Sequence, residues 1–324
     1  MLNHTDNIYS GFKESLLWVV WPGIVFLSLS LYWVLISHLN ISFENSLQIH
    51  FLGLFFLIFL FEWIIPCHKN WNKYDGQSWN DLLYNITFPI MQIIVTLLAL
   101  KVVQLSTNNG IMSFIDIKKY ISSEYVQFFV LILIVDLLWY ICHRTFHTLP
   151  RLWNIHALHH NSDQLHVLNN ARVHPLEVFA LFFPILLVVQ FIKIPESVFN
   201  WFLVFQLSIG LLTHSNINTR TGWLAYIFNT PEVHRWHHSR IRTEHNNNYG
   251  SVTMFWDHIF RTYFNPRDRN KSEDIGINTL YTSVPTKWFD QLVIPFRSQK
   301  KVLLNNYSEN SLKSNTNETP KEEI

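Results

Sequence analysis

The chain carries an unusual concentration of histidine between residues 143 and 238. Eight of these histidines form three short boxes, at His143, His147, His156, His159, His160, His234, His237 and His238. Imidazole is the commonest metal ligand among side chains. Boxes of this kind beside strongly apolar sequence indicate a metal centre that does chemistry on lipid.

The spacing inside each box predicts that its imidazoles point the same way. Residues three and four apart lie on one side of an α-helix. The first box has i, i+4 spacing, and the other two have i, i+3, i+4 spacing. One zinc ion is usually four-coordinate and cannot use eight imidazoles. Two metal ions with four or five ligands each can, so we expect a two-metal centre.

Two single histidines are candidate additions to this centre. His214 ends an apolar run and is expected to reach the membrane surface where the boxes lie, so it is a candidate metal ligand. His174 precedes another apolar run at the same level and is a candidate metal ligand, or a hydrogen-bond partner of one. His166, His245 and His258 are expected to be ordinary polar or half-buried histidines.

Asp136 is the candidate catalytic residue outside the boxes. It lies seven residues before His143 in an apolar run, and acids at membrane depth are costly and usually functional. At 1.5 Å per residue the separation is roughly 10 Å, too long for contact. We therefore expect Asp136 to accept a hydrogen bond from a histidine of another helix. The alternative is pairing with Tyr or Arg for packing alone.

Prolines mark the starts of the helices that should carry the second and third boxes. No helix breaker interrupts Leu137 to Phe146, so the first box continues a membrane span until Pro150. A proline suits the first helical turn, so Pro150 and Pro231 are each expected to open a new helix. Thr230 is a suitable N-cap for the second of these.

The composition indicates an integral membrane protein. Of 324 residues, 49% are hydrophobic and only 15% are charged. Four apolar runs, near 16–37, 49–65, 86–105 and 126–142, are long enough to cross a bilayer, which needs about 20 residues. The first lacks the flanks of a cleaved signal peptide and is expected to remain as an anchor. Two shorter runs, 178–194 and 198–213, are expected to form a hairpin that dips into the membrane and returns.

The predicted fold class is therefore all-α: about four transmembrane helices, a membrane hairpin and a histidine-rich helical cap. Short cytoplasmic loops collect Lys and Arg. The relevant residues are Lys13, Lys69, Lys73, Arg144, Arg151 and Arg172, with Lys118 and Lys119 arguing mildly the other way. This distribution predicts a multi-pass protein whose boxes all lie on the cytoplasmic side.

The expected organisation is four segments: transmembrane helices over 1–125, a histidine-box catalytic region over 126–265, a cytoplasmic segment over 266–297, and a disordered tail over 298–324. Two cysteines without a CxxC pattern are expected to be packing residues. A formal net charge of +1 gives no indication of nucleic-acid binding, and there is no glycine-rich phosphate motif.

The boxes and their neighbours resemble the fatty acid hydroxylase and sterol desaturase superfamily. The matching motifs are Asp136–His147, Leu152–His160, Arg172–Glu177, His214–Asn216, Pro231–His238, Asn248–Gly250, Trp256–Asp257 and Ile259–Phe260. The resemblance covers about 130–265 and is specific, whereas 1–125 match only in being apolar. One departure is Arg261, where relatives usually have glycine.

The resemblance implies a non-haem diiron centre that activates O2 to hydroxylate or desaturate a sterol, fatty acyl or ether lipid. It carries the eight box histidines over as iron ligands and places a further ligand at His214. The chain shows no haem-carrier, flavin or iron–sulfur motif, so an external electron donor, a reductase or electron-carrier protein, is also implied.

Two other classes of protein stay open from the residues alone. A zinc-dependent membrane hydrolase needs an open metal position and a nearby Glu base, and the boxes offer no obvious base. A non-enzymatic metal transporter or haem-binding protein needs ligands near mid-membrane. The boxes are expected at the membrane edge, which favours the lipid oxygenase.

Overall fold

A computed structural model of the protein describes residues 3–73, 75–266, 274–277 and 284–296. The expected disordered tail over 298–324 and parts of the 266–297 segment lie outside these residues. The described chain is mostly helical. Its larger helices are α1 (Asn3–Ser37), α2 (Phe43–Ile64), α3 (Ser78–Asn108), α4 (Glu124–Thr148), α5 (Pro150–His160), α6 (Pro175–Phe191) and α7 (Glu196–Thr213).

Within the described residues, five helices are long and apolar enough to cross a membrane: α1 from Glu14 onward, α2, α3, α4 and α7. The shorter helix α6 is also apolar. The all-α integral membrane fold is therefore confirmed, with five candidate spans where the sequence indicated about four and a hairpin.

The α6–α7 hairpin reaches further than the sequence suggested. Its tip, β2 (Ile192–Lys193), pairs in parallel with β1 (Ile115–Asp116) in the connection between α3 and α4. That connection lies at the end of the bundle opposite the histidine boxes, because α4 separates them. The hairpin thus runs the length of the bundle, and α7 is a full candidate span.

The remaining elements are short. At the end of the bundle that carries the boxes they are α8 (Leu224–Ile227), α9 (Pro231–His237), α10 (Arg242–His245), α11 (Phe255–Ile259) and α12 (Trp288–Leu292). In the part of the chain that the structure describes, 3-10 turns cover Lys69–Asn72, Ile117–Lys119, Val167–Ala171 and Ile294–Phe296. As predicted, Pro150 opens α5 and Pro231 opens α9. Thr230 is the N-cap residue of α9, but its side chain makes no capping hydrogen bond.

Two apolar clusters hold the long helices together. One joins α1, α2 and α7, and the other joins α4, α6 and α7. His50 is fully buried where α1, α2 and α7 meet. Its Nε2 lies 3.2 Å from Ser28 Oγ and 3.3 Å from Ser208 Oγ, so helix packing has enclosed it.

Buried acids of the N-terminal helices contact the segments around the boxes. Asp81 of α3 pairs with Arg172 at 2.6 Å, and both side chains are fully buried. Glu62 of α2 is buried and accepts hydrogen bonds from the backbone N–H groups of Val167 and Asn216. These contacts fix the connections on which several box partners lie.

Candidate metal centre

Nine histidines converge into two adjacent groups. Within each group, one ring nitrogen of every member lies within 4.8 Å of those of the others. We call them group one, which is His143, His147, His156, His160 and His237, and group two, which is His159, His214, His234 and His238. Group sizes of five and four match the two-metal arrangement expected from the spacing.

The groups divide the boxes in a regular way. The first box contributes both histidines to group one. In the second and third boxes, each i, i+4 pair stays together: His156 with His160 and His234 with His238. The i+3 members, His159 and His237, belong to the opposite group. Each of these two short helices therefore supplies both groups.

The spacing of the inward nitrogens fits shared metal ions. The Nε2 atom of His156 lies 3.1 Å from both His143 Nε2 and His160 Nε2, and His234 Nε2 lies 3.1 Å from His238 Nε2. Two nitrogens bound to one ion at about 2.1 Å are roughly 3.0–3.4 Å apart. The Nε2 atoms of His147 and His237 are buried without a protein partner, which a metal ion would satisfy.

The outer nitrogens of most of these histidines are held by oxygen atoms. Six Nδ1 atoms have such a partner: His143 with Tyr249 O, His147 with Asn246 Oδ1, His156 with Glu177 Oε1, His159 with Arg172 O, His214 with Asn169 Oδ1 and His237 with Asn247 O. An Nδ1–H that donates outward leaves the Nε2 lone pair facing inward. This is the usual support of metal-bound imidazole.

Burial keeps the imidazoles neutral. Desolvation lowers the pKa of His156 to about 3, with a smaller contribution from His245. It also lowers the pKa of His159 to about 3, and neighbouring histidines add to the effect. The pKa of His237 and His238 is lowered well below the usual value for the same reasons. Neutral imidazole is the form that binds metal.

One loop supplies three of the outer partners of group one. Residues 246–249 provide Asn246 Oδ1, Asn247 O and Tyr249 O to His147, His237 and His143. Gly250 follows in a confined position, where a Cβ atom would clash with the backbone oxygen of Thr253. No other residue fits there without moving the loop.

Two buried carboxylates hold this loop in place. Asp257 accepts from the backbone N–H groups of Tyr249 and Gly250, both at 2.8 Å. Asp136 accepts from the N–H of Val252 at 3.0 Å and from the N–H and hydroxyl of Thr253 at 2.7 Å. The histidine partner predicted for Asp136 is therefore wrong, and so is the Tyr or Arg alternative. The loop packs against α4 at this depth and occupies both carboxylate oxygens.

Arg261, the departure noted in the sequence, follows this region with φ of 57°. That left-handed conformation favours glycine. The backbone thus keeps the turn that glycine would allow, and Arg261 takes no part in either histidine group.

His174 lies outside both groups. Its Nδ1 accepts from the N–H of Leu176, and its Nε2 donates to Leu292 O at 3.2 Å. It caps the start of α6, directly before Pro175. Among the other histidines, His166, His245 and His258 also lie outside the two groups; His245 stacks on Trp153 beside group one.

Sequence reasoning missed Glu177, which is the hydrogen-bond partner of a box histidine. It lies in the first turn of α6, fully enclosed, with Oε1 at 2.6 Å from His156 Nδ1. Arg172 was missed in the same way: its carbonyl oxygen faces His159, and its guanidinium is anchored by Asp81. The partners are far apart in sequence, so spacing gave no signal for either contact.

Comparison with known proteins identifies one matching family. The fatty acid hydroxylase family matches residues 128–262, a range that holds all nine histidines of the two groups. No solved structure is significantly similar to the chain.

Several characterised proteins are similar to the chain. The ornithine lipid hydroxylase OlsE of Rhizobium tropici is 32% identical over 293 residues, which is 86% of this chain and 83% of that protein. The alkylglycerol monooxygenase of Caenorhabditis elegans is 28% identical over 52% of this chain and 32% of its own length. The human alkylglycerol monooxygenase is 33% identical over 40% of this chain and 28% of its own length.

Proposed function

Because the chain belongs to the fatty acid hydroxylase family, we propose that it is an integral-membrane oxygenase that hydroxylates a membrane lipid at a two-iron centre. The oxidoreductase class and the lipid substrate follow from the family. The observation that carries the two-iron centre is the convergence of nine histidines into groups of five and four.

We assign one iron ion to each group. Group one would hold the first ion through its five inward nitrogens, and group two the second through four. A bound pair of iron ions supplies the reductive activation of O2 needed to attack an unactivated C–H bond. Imidazole ligands suit iron as well as zinc, so the donor set fits this assignment.

The chain's own residues prepare the site in three ways. The Nδ1–H bonds to Glu177, Asn246, Tyr249 and the other three outer partners fix the tautomer and orientation of six of the nine imidazoles. Seven of the nine rings lie on the helices α4, α5 and α9, which hold them more firmly than loops would. Burial of both groups excludes bulk water, which limits side reactions of a strong oxidant.

The substrate class is a lipid with an acyl or alkyl chain. Relatives named for ornithine lipid and for alkylglycerol share such chains and differ in their polar parts. Hydroxylation is favoured over desaturation, because these relatives are named hydroxylases and monooxygenases. Two electrons per turnover would come from a separate reductase or electron carrier.

The alternative classes have weaker support. A zinc hydrolase needs few ligands and a free carboxylate facing the metal, whereas the two groups present nine imidazoles. The carboxylate nearest to them, Glu177, lies on the outer side of His156 and is engaged there. A transporter or haem protein would need its ligands deeper in the bundle.

The proposed function is tested with purified protein in lipid nanodiscs loaded with Fe(II), an artificial reductant and isotopically labelled O2. Ornithine lipid, alkylglycerol lipid and phosphatidylcholine are offered separately. We expect the label in one lipid class, as a hydroxyl group detected by mass spectrometry. Absence of the label from every lipid would reject the assignment.

We also propose that the histidine groups lie on the cytoplasmic side. Among the described residues, the cationic side chains at the box end of the bundle include Lys69, Lys73, Arg144, Arg151, Arg220 and Arg242, and those toward the other end are Lys101, Lys118, Lys119 and Lys193. The excess at the box end supports a cytoplasmic position.

A cysteine-labelling experiment tests this orientation. Cysteine at the exposed positions Arg151 or Thr243 should react with an impermeant maleimide only when the cytoplasmic face is accessible. Cysteine at His38 or Ser113 should react only from the opposite side, in a background lacking Cys67 and Cys142. Labelling of Arg151→Cys and Ser113→Cys from the same side would contradict the orientation.

A further inference from the structure

Gly210 is a helical glycine without a packing reason. It lies in the last turn of α7, four residues before His214, and a Cβ atom built on it meets nothing within 4 Å. Glycine in the interior of a helix is destabilising relative to alanine. Membrane helices usually place glycine where helices approach closely, as at Gly53, whose Cβ would lie 3.4 Å from Leu31. At Gly210, by contrast, the space that a side chain would occupy is open.

This space borders a stripe that leads to group two. Leu203, Gln206, Leu207 and Gly210 are half-buried and spaced i, i+3, i+4 and i+7 on one face of α7. We call them the Gly210 stripe. Leu203 packs on the α4–α6–α7 cluster and Leu207 on the α1–α2–α7 cluster, so the stripe runs between the two cores. One turn further along lies His214 of group two.

Trp139, Phe182 and Phe88 form an aromatic wall on the membrane side of group one. Its depth relative to group one is similar to that of Gly210 relative to group two. Trp139 precedes His143 by one turn of α4, and their ring centroids are 6.3 Å apart. Trp139 contacts Phe182 of α6 at 5.5 Å, and Phe182 contacts Phe88 of α3 at 5.9 Å. Trp139 packs against the same cluster as Leu203. The wall and the stripe thus lie on the membrane side of the two histidine groups.

The chemistry beside Gly210 suits an apolar occupant. Its carbonyl oxygen already accepts from Asn170 Nδ2 at 3.1 Å and from Thr213 Oγ1 at 2.8 Å. The end of the helix therefore does not need a polar ligand at this point. Acyl chains are the solvent around membrane spans, and backbone groups there are satisfied within the protein.

We propose that the acyl chain of the lipid substrate passes between the Gly210 stripe and the aromatic wall, with Gly210 setting how bulky a chain can reach the histidines. The inference rests on the proposed function and specifies the substrate path of the same site. It makes Gly210 a specificity-determining residue that binds no metal.

A size series at Gly210 tests the path. We compare Gly210→Ala, Gly210→Leu and Gly210→Phe in the full-length protein, measuring metal content and hydroxylation of ornithine lipids with short and long acyl chains. The open space lets the variants fold and keep their metal. Product formation should fall with side-chain size, reaching about 100-fold for Phe, because displacement of a substrate by about 1 Å can cost that much.

A second apolar groove provides the matched control. A cavity of about 250 Å³ between α1 and α7 is lined by residues that include Trp21, Val25, Leu29, Phe205 and Phe228. Val25→Phe fills this groove without touching the Gly210 stripe and should leave hydroxylation unchanged. If Val25→Phe lowers product formation and Gly210→Phe does not, the chain uses the other groove and the proposal is overturned.

A crosslinking measurement tests the position of the acyl chain independently of whether the lipid is oxidised. A phospholipid with a diazirine on its acyl chain should crosslink to the segment 203–214 in the wild type and much less in Gly210→Phe. Equal crosslinking in both proteins overturns the path, whatever the activity. Loss of crosslinking in Gly210→Phe, with a wild type that oxidises no lipid, supports the path and rejects only the oxygenase assignment.

Discussion

Alanine at His238 is expected to lower the metal content from about two ions per chain to about one, and to abolish lipid hydroxylation. His238 is one of only four members of group two, and its loss leaves three imidazoles where a metal ion usually needs four ligands. Metal content is measured by elemental analysis, counting iron and zinc together because overexpressed protein can take up either.

The adjacent residue gives a sharp comparison. His237→Ala removes one of five members of group one, so four imidazoles remain. We expect this variant to keep more metal than His238→Ala while its turnover falls by at least about 100-fold, because a ligand contributes more than its outer partners, whose loss costs 10–100-fold. His38→Ala, exposed at the other end of the bundle, is the control. Equal metal loss in both box variants would contradict the division into two groups.

Local signals predicted the elements that hold the centre. The starts of α5 and α9 follow from Pro150 and Pro231, because the first helical turn tolerates the missing N–H of proline. The unbroken apolar run into the first box placed that box at the end of α4. Spacing also predicted that each box would present its imidazoles on one helix face; this holds for the i, i+4 pairs, whereas His159 and His237 each belong to the opposite group.

The division of the boxes between two groups depends on packing. On a helix, residues at i+3 and i+4 are about 100° apart at 3.6 residues per turn. Histidines such as His159 and His160 therefore face different neighbours. Which one meets group one is decided by how α5 and α9 cross α4, and spacing contains no information about that crossing.

His174 illustrates two competing signals in one motif. Its position before an apolar helix at the level of the boxes suggested a metal ligand. The following Pro175 is a signal for a helix start, and the structure uses His174 as the cap of α6. The residue three places later, Glu177, meets the boxes instead, because the first turn of α6 faces α5.

Replacement of Glu177 by glutamine is expected to lower turnover, and the affinity of one of the two metal ions, by about 10–100-fold. The carboxylate accepts the Nδ1–H of His156 at 2.6 Å in a fully buried environment. Hydrogen bonds to charged groups are short and roughly twice as strong as neutral ones. Glutamine keeps an acceptor oxygen and the size of the side chain but removes the charge. Chelator competition against both metals, with kcat on the best lipid, measures the effect.

Substitutions of two other acids distinguish a loss of His156 orientation from a general effect of removing a negative charge. Glu196 is an exposed glutamate in the first turn of α7, at the tip of the α6–α7 hairpin and at the other end of the bundle from the boxes. Glu196→Gln should therefore leave the affinity for both metal ions and kcat unchanged. Asp136→Asn acts on the backbone of Val252 and Thr253, so it should mainly lower stability, by about 1–3 kcal/mol, the cost of a poorly satisfied buried donor. If Glu177→Gln behaves like Asp136→Asn, with lower stability and unchanged metal affinity, then Glu177 stabilises the start of α6 and does not tune His156.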